Sequence, residues 1–318
     1  MSRGYFIGGS GRVGIPKVVV VTGPTASGKS ALAMDLARRL GGELVSADSM
    51  QLYRGFDIGT AKPSTKELAE VPHHLIDVAD PGSTYSAGAF RRDALLAISD
   101  ISKRGRLPIV VGGTGLYIKV LLEGLVEGAP KDVALRKLLS ERWDKGEAAC
   151  LYGELERVDP LLAAKLHVND KKRVLRGLEV WQLTGVPLSK VQAEHAFAER
   201  EVDAKVFIME VERGSLYMRI NRRVEEMISA GWVTEVKKLL AAGVPRDIEP
   251  MRAIGYKELV SHLAGEVSLD DAIAAIKQST RRFAKRQLTW FRRMEGTRIT
   301  PGEVERVVAE TINFLQNK

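Results

Sequence analysis

Cysteine is almost missing: one residue, Cys150, stands in a chain of 318. That excludes an intrachain disulfide or a cysteine-rich zinc site and suits a reducing compartment, so a cytoplasmic protein is expected. Long apolar runs are missing too. None approaches the roughly 18 residues that a membrane span requires, so no membrane partner is expected. Residues 1–16 are glycine-rich, lack the apolar stretch of a signal peptide, and read as a flexible leader. No internal repeat is found. What the chain has is 45% hydrophobic and 28% charged residues. Collagen-like, disulfide-scaffold and wholly disordered classes are thereby excluded. The length suits one large α/β domain or a core plus a second lobe. Lys and Arg outnumber Asp and Glu by 48 to 40, a net charge of +8. Such an excess favours an anionic partner, either nucleic acid or a phosphorylated small molecule.

The first strong local signal is Lys17–Thr22, a β-branched run of the kind expected for a buried parallel strand. A helical face follows, built from Leu32, Ala33, Leu36, Ala37 and Leu40 and stopped at Gly41-Gly42. Further strands are predicted at 43–47, 107–111 and 205–211. Between the last two, apolar positions such as Leu135, Leu139, Leu151, Leu155, Leu175 and Leu178 keep helical spacing. The expected fold is therefore α/β, a P-loop parallel-sheet core with an inserted all-helical lobe. The core takes residues 17–121 and 205–318, and the lobe 122–204. Beyond 211, stripes before Gly231 and Gly243 and a long segment over 269–294 all read as helices.

Gly23, Pro24, Thr25, Ala26, Ser27, Gly28, Lys29 and Ser30 satisfy G-x-x-x-x-G-K-[ST] between the first strand and its helix. Glycines let successive N–H groups converge on phosphate oxygens, and the helix N-terminus adds partial positive charge. Lys29 supplies a point charge and the Ser30 hydroxyl is placed to ligate Mg²⁺. A diphosphate or triphosphate ligand is expected. A small-molecule kinase is the usual reading of such a loop, but the strand at 109–111 runs into Gly112-Gly113-Thr114-Gly115. The aspartate that typically ends a Walker-B strand is missing there, as is any Asn-Lys-x-Asp guanine-reading tetrad. An NTPase stays open if Asp48 or Asp77 substitutes at the metal.

Asp48-Ser49-Met50-Gln51 follows the second strand, and Tyr53-Arg-Gly-Phe-Asp-Ile-Gly-Thr-Ala-Lys-Pro63 follows directly. In order thereafter come Pro72-His-His-Leu-Ile-Asp77, Gly112-Gly-Thr-Gly-Leu-Tyr117, Leu178-Glu-Val180, Ala253-Ile-Gly-Tyr-Lys257 and Thr280-Arg-Arg-Phe-Ala-Lys-Arg-Gln-Leu-Thr-Trp290. With the phosphate loop, this set resembles the tRNA dimethylallyltransferases. The resemblance implies transfer of a dimethylallyl group from dimethylallyl diphosphate to N6 of the adenosine at tRNA position 37, 3′ of the anticodon, in tRNAs reading codons that start with U. It implies that the loop holds the prenyl diphosphate, which accounts for the missing Walker-B aspartate. It also implies that the helical lobe helps clamp the anticodon stem-loop. A monomer is expected. At Lys172 many relatives carry glutamine, and the zinc finger of some eukaryotic relatives has no counterpart, since no cysteine follows Cys150.

An exocyclic adenine amine is a poor nucleophile, and a carboxylate accepting its proton raises the rate. Asp48, at a strand end beside the loop, is the candidate base, with an Mg²⁺-organising role as the alternative. Lys29, the loop amides and Mg²⁺ on Ser30 are expected to neutralise the leaving diphosphate. The resemblance adds Arg219 at the diphosphate, against a solvated helix charge. Thr25 is expected to donate to a phosphate or bridging oxygen. For tRNA, the resemblance points to Thr114 and Arg136. Asp48, Ser49, Met50 and Gln51 are further candidates, with Gln51 against the adenine or its neighbour. A basic cluster on the lobe that includes Lys172, Arg173 and Arg176 is expected to meet RNA, against a solvated face. A second basic cluster, from Arg281 to Arg293, interleaves Phe283, Trp290 and Phe291, an arrangement suited to RNA, although aromatics at this spacing are more often core. His73-His74 looks like a metal pair, but neighbours on a strand face opposite ways. Cys150 reads as plain packing. An adenylate isopentenyltransferase, using the same donor on free AMP, is the nearest competing reading.

Overall fold

The structure, a computed structural model, describes residues 15–124, 132–195 and 201–317. Residues 1–14 of the leader and both ends of the inserted segment lie outside that range. Contacts divide the chain into two compact units, residues 1–122 with 200–318, and residues 123–199.

The first unit begins with β1 (Lys17–Thr22), whose Val18–Val21 are fully buried. A strand covered on both faces has no polar side, which is why the run is continuously apolar. It leads through the phosphate loop into α1 (Lys29–Leu40), then β2 (Gly42–Ser46), the two-residue β3 (His73–His74), α2 (Ala87–Lys103), β4 (Leu107–Gly112) and α3 (Gly115–Glu123). The second unit follows, with α4 (Val133–Arg142), α5 (Ala148–Val158) and α6 (Lys171–Thr184). They enclose their own core of Leu139, Leu151, Leu155, Leu162, Val174 and Leu178. Gly177 lets Leu155 and Leu162 approach the α6 backbone, since a Cβ there would lie 2.7 Å from Leu155. The chain then returns to the first unit with β5 (Asp203–Met209), α7 (Arg213–Ser229), α8 (Trp232–Ala241), α9 (Leu269–Phe291), β6 (Thr297–Ile299) and α10 (Val304–Gln316).

All six strands are parallel, in the order β3-β2-β4-β1-β5-β6. β5 starts two residues before the predicted 205 and pairs from Lys17↔Asp203, so residues 203–204 belong to the core and not to the helical lobe. The end of the leader is tied in as well: the Asp203 N–H donates to the Pro16 carbonyl at 3.0 Å. The paired central strands β2, β4, β1 and β5 run the same way, so their carboxyl ends lie along one edge of the sheet. Gly23, Ala47-Asp48, Gly113-Thr114 and Glu210 emerge there together, where open α/β sheets bind ligands.

Candidate active site

A cavity of about 620 Å³ opens at this edge. Its polar wall is formed by Thr25, Lys29 and Ser30 from the phosphate loop, Asp48 after β2, Thr114 after β4, and Arg223 from α7. Its other wall is apolar, with Ile220, Val224 and Met227 on α7 beside Trp232.

The loop takes its shape from close backbone approach. Gly23 has φ 147°, and a Cβ there would sit 2.8 Å from that of Met209. Gly28, at φ 96°, is the N-cap of α1, and no side chain caps the helix. The first N–H groups of a helix have no intrahelical partner, so this end is left to an anion. Ala26 holds φ 61°, a left-handed conformation unfavourable for a residue with a Cβ. It is kept there by packing against Leu216, Ile220 and Ala284.

Two cations face the loop. Lys29 Nζ donates to the Pro24 carbonyl at 3.2 Å. Burial, reinforced by the nearby Arg223 charge, pulls its pKa down to about 8, and Asp48 opposes the shift. An Arg223 Nη donates to Thr25 Oγ1 at 3.4 Å; burial also lowers the arginine's pKa, with Asp48 again opposing. Two cations brought together out of water, with one carboxylate near both, make a site that favours an anion. Asp48 Oδ1 accepts the Met50 and Gln51 N–H groups at 2.9 and 3.4 Å, while Oδ2 accepts no hydrogen bond from the described residues.

The expected site residues separate clearly. Arg219, expected at the diphosphate, is exposed and does not line the cavity, whereas Arg223, four residues on, does. Helical periodicity explains the difference. Ile220, Arg223, Val224 and Met227 span about 100° of α7, and Arg219 falls outside that span, about 40° beyond Arg223 and about 90° from its centre. Thr114 Oγ1 accepts the Ser49 N–H at 3.0 Å and thereby holds the segment after Asp48. Met50, like Gln51 and Ser49, lines the cavity. Gln51 is turned inward. Its Nε2 donates to the Thr60 and Ala61 carbonyls and its Oε1 accepts from Ser46, so both amide hydrogens are committed and none is left for a base.

Arg136, Lys172, Arg173 and Arg176 belong to the helical unit. Glu179, fully buried on α6, accepts from Arg136 at 2.6 Å, Arg176 at 2.7 Å and the Asp132 N–H at 3.1 Å. Lys172 is exposed; Arg173 is exposed too and pairs with Asp170 at 2.5 Å. On α9, Phe291 is core while Trp290 is 42% exposed, and an Arg286 guanidinium stands over the Phe283 ring. His73 bonds the Val71 carbonyl and His74 bonds Glu43, so the pair does not converge. Among the described residues no group of three His, Cys, Asp or Glu is placed to hold a metal. Mg²⁺, however, needs only one or two protein oxygens beside substrate phosphates. The Ser30 hydroxyl, on the cavity wall and without a protein partner among the described residues, fits that pattern. Cys150 is exposed, against the packing expected of it; α5 buries Leu151 and Leu155 instead.

The site also shows why β4 does not end in an aspartate. A Cβ at Gly112 would lie 2.1 Å from the Ala47 carbonyl oxygen, and one at Gly113 would lie 2.5 Å from Gln287 Nε2. At Gly112 the β2 and β4 ends are pressed together too closely for a side chain, and at Gly113 the Gln287 amide takes the space. Gln287, buried on α9, was not foreseen as part of the site. A lone glutamine amid basic residues carries no sequence signal of its own.

Residues 51–294 match the family model described as IPP transferase, and residues 16–80 match one described as isopentenyl transferase. The chain belongs to the IPP transferase family. A relative named tRNA dimethylallyltransferase, from Geobacter metallireducens, is 52% identical over 277 residues, covering 87% of this chain and 90% of its own. One of the same name from Syntrophobacter fumaroxidans is 46% identical over 98% of this chain and 92% of its own. Among solved family structures, the full-length tRNA isopentenylpyrophosphate transferase of Bacillus halodurans superposes with a TM-score of 0.68. It is 41% identical, over 94% of this chain and 95% of that one. A eukaryotic dimethylallyltransferase acting on tRNA reaches 0.83 at 28% identity, over 95% and 80%.

Proposed function

We propose that the protein transfers the dimethylallyl group of dimethylallyl diphosphate to N6 of adenosine 37, next to the anticodon, in tRNAs reading codons that begin with U. The observation that carries this reading is the pairing, in one cavity, of an anion cradle with a carboxylate that keeps an oxygen open. Lys29, Arg223, Thr25 and the uncapped start of α1 form the cradle; Asp48 is the carboxylate.

The amine nitrogen attacks the allylic carbon, the carbon–oxygen bond to diphosphate breaks, and the amine proton passes to Asp48 Oδ2. Charge grows on the departing diphosphate as the bond breaks. Lys29 and Arg223 are fixed where that charge develops, which is the usual source of the largest rate gain. Ser30 would hold Mg²⁺, which when bound neutralises further phosphate charge. Thr114 holds the Asp48 segment in place, and the exposed Lys172 and Arg173 are proposed to meet RNA phosphates. The proposal takes the protein as a cytoplasmic monomer.

The deciding experiment incubates unmodified tRNA with labelled dimethylallyl diphosphate and Mg²⁺, without ATP. Label on a single adenosine is expected. ATP consumption without the prenyl donor would restore the kinase reading, and faster transfer to free AMP than to tRNA would make the chain an adenylate prenyltransferase.

A further inference from the structure

Gln287 connects three parts of the site through one amide group. Its Oε1 accepts the Thr25 N–H at 2.8 Å, and its Nε2 donates to the Gly113 carbonyl at 2.9 Å. Both partners are backbone groups with fixed roles, so only one orientation of the amide satisfies them. The side chain is 6% exposed and stands on α9, whose Ala284 packs against Leu216 and Ile220 of α7. The bridge is therefore mounted on rigid elements.

Thr25 is the third residue of the phosphate loop. In such loops the amides serve as phosphate donors. Here the start of α1 remains uncapped, but the Thr25 amide is already taken. The Ser27 amide is occupied as well, by the Pro24 carbonyl at 3.3 Å. The loop thus keeps its donors at the helix end, while the Thr25 and Ser27 amides on the opposite rim are taken. A phosphate extending towards that rim would meet the Gln287 carbonyl oxygen, an acceptor, where it requires a donor.

We propose that Gln287 is a specificity-determining residue that makes this loop select a diphosphate over a triphosphate. The inference rests on the reading of the loop as a diphosphate site. A third phosphoryl group can reach the Thr25 amide only by displacing Gln287, which leaves the buried Gly113 carbonyl unpaired as well. A buried polar group left without its partner lowers affinity at least about fivefold. Charge alone works the other way, because a triphosphate is the stronger anion for Lys29 and Arg223.

The test uses the full chain in Mg²⁺ with two simple probes, inorganic diphosphate and inorganic triphosphate, titrated by calorimetry at pH 7.5. The wild type should bind diphosphate at least about fivefold more tightly. Gln287→Met, which fills the same volume without hydrogen-bonding, and Gln287→Ala should both narrow or reverse that preference by gaining triphosphate affinity. Thermal melts establish that each variant is folded, and Gln287→Met carries the test if the alanine variant is not. A wild type that binds triphosphate as well as diphosphate overturns the inference alone. So do variants that lose both ligands in proportion, which would make Gln287 only a brace for the loop. A wild type that binds neither anion overturns the diphosphate reading itself.

Discussion

Seating a diphosphate beside Lys29 should draw a proton out of solution, by an amount that follows from the lysine's environment. Burial and the neighbouring Arg223 bring its pKa down to about 8 in the free protein. A bound diphosphate reverses the balance, because the adjacent negative charge favours the ammonium. With the bound pKa restored to about 10.5 or higher, binding should take up roughly 0.1 proton at pH 7, 0.5 at pH 8 and 0.9 at pH 9. A phosphate ester loses its last proton near pH 6, so dimethylallyl diphosphate itself contributes almost nothing over the upper part of that range. Affinity should follow: nearly flat below pH 8, about fivefold weaker between pH 8 and 9, then about tenfold weaker per pH unit.

Calorimetry in buffers of different ionisation heat reads the proton count directly. Lys29→Met should abolish both the uptake and the slope while weakening binding at pH 7. Folding carries a related dependence. The unfolded chain, with its lysine near 10.5, binds more protons than the free folded protein between about pH 8 and 10.5. Over that window this group makes stability rise with pH. Lys29→Met removes a disfavoured charge, so at pH 7 the ligand-free variant should melt no lower than the wild type. Binding heats independent of buffer at pH 8–9, together with a dissociation constant flat from pH 7 to 10, would refute this account of the site.

Four other outcomes are expected. Asp48→Asn keeps the shape but cannot take the proton, so single-turnover transfer should fall by about 10²-fold or more, with tRNA affinity within a few-fold of wild type; normal turnover would end the base assignment. Arg223→Ala should lower the transfer rate by about 10²–10³-fold and move the onset of affinity loss above pH 8, whereas Arg219→Ala should resemble wild type in both measurements. Neutralising Lys172 and Arg173 together should reduce the slope of log affinity for tRNA against log salt by about 1–2, leaving donor binding intact. Glu179→Ala strands the Asp132 N–H and removes the carboxylate that Arg136 and Arg176 share, so urea unfolding should show a loss of about 1–3 kcal/mol.

These predictions depend on features that were visible in the sequence to very different degrees. The sheet edge was legible because β1 and β4 are β-branched runs, β5 carries the apolar run Val206–Met209, and β1, β2 and β4 end in Thr22, Ser46 and Gly112. β3 and β6, at two and three residues, are too short to show a period. The phosphate loop was legible because its glycines answer a local demand, the positive φ held at Gly23 and Gly28. Arg223 was not chosen, although its position between Ile220 and Met227 on one helical stripe would have identified it. A charged residue inside an apolar stripe has to face something, and here it faces Thr25.

Gln51 and Gln287 show where local reading ends. Both look like surface amides in sequence, yet each is consumed by backbone partners, for Gln287 as far as 262 residues away. The Gln51 bonds span at most ten residues, but no window of sequence contains both ends of the Gln287 bonds. In sequence the Gly112-Gly113 pair reads as part of a family motif and as the absence of an aspartate. In the fold it is a positive requirement, because the Ala47 carbonyl and Gln287 occupy the space that any side chain would need. Gln287 links two departures from an ATP-using loop, because the amide group that a Cβ at Gly113 would strike is also the one that accepts the Thr25 N–H.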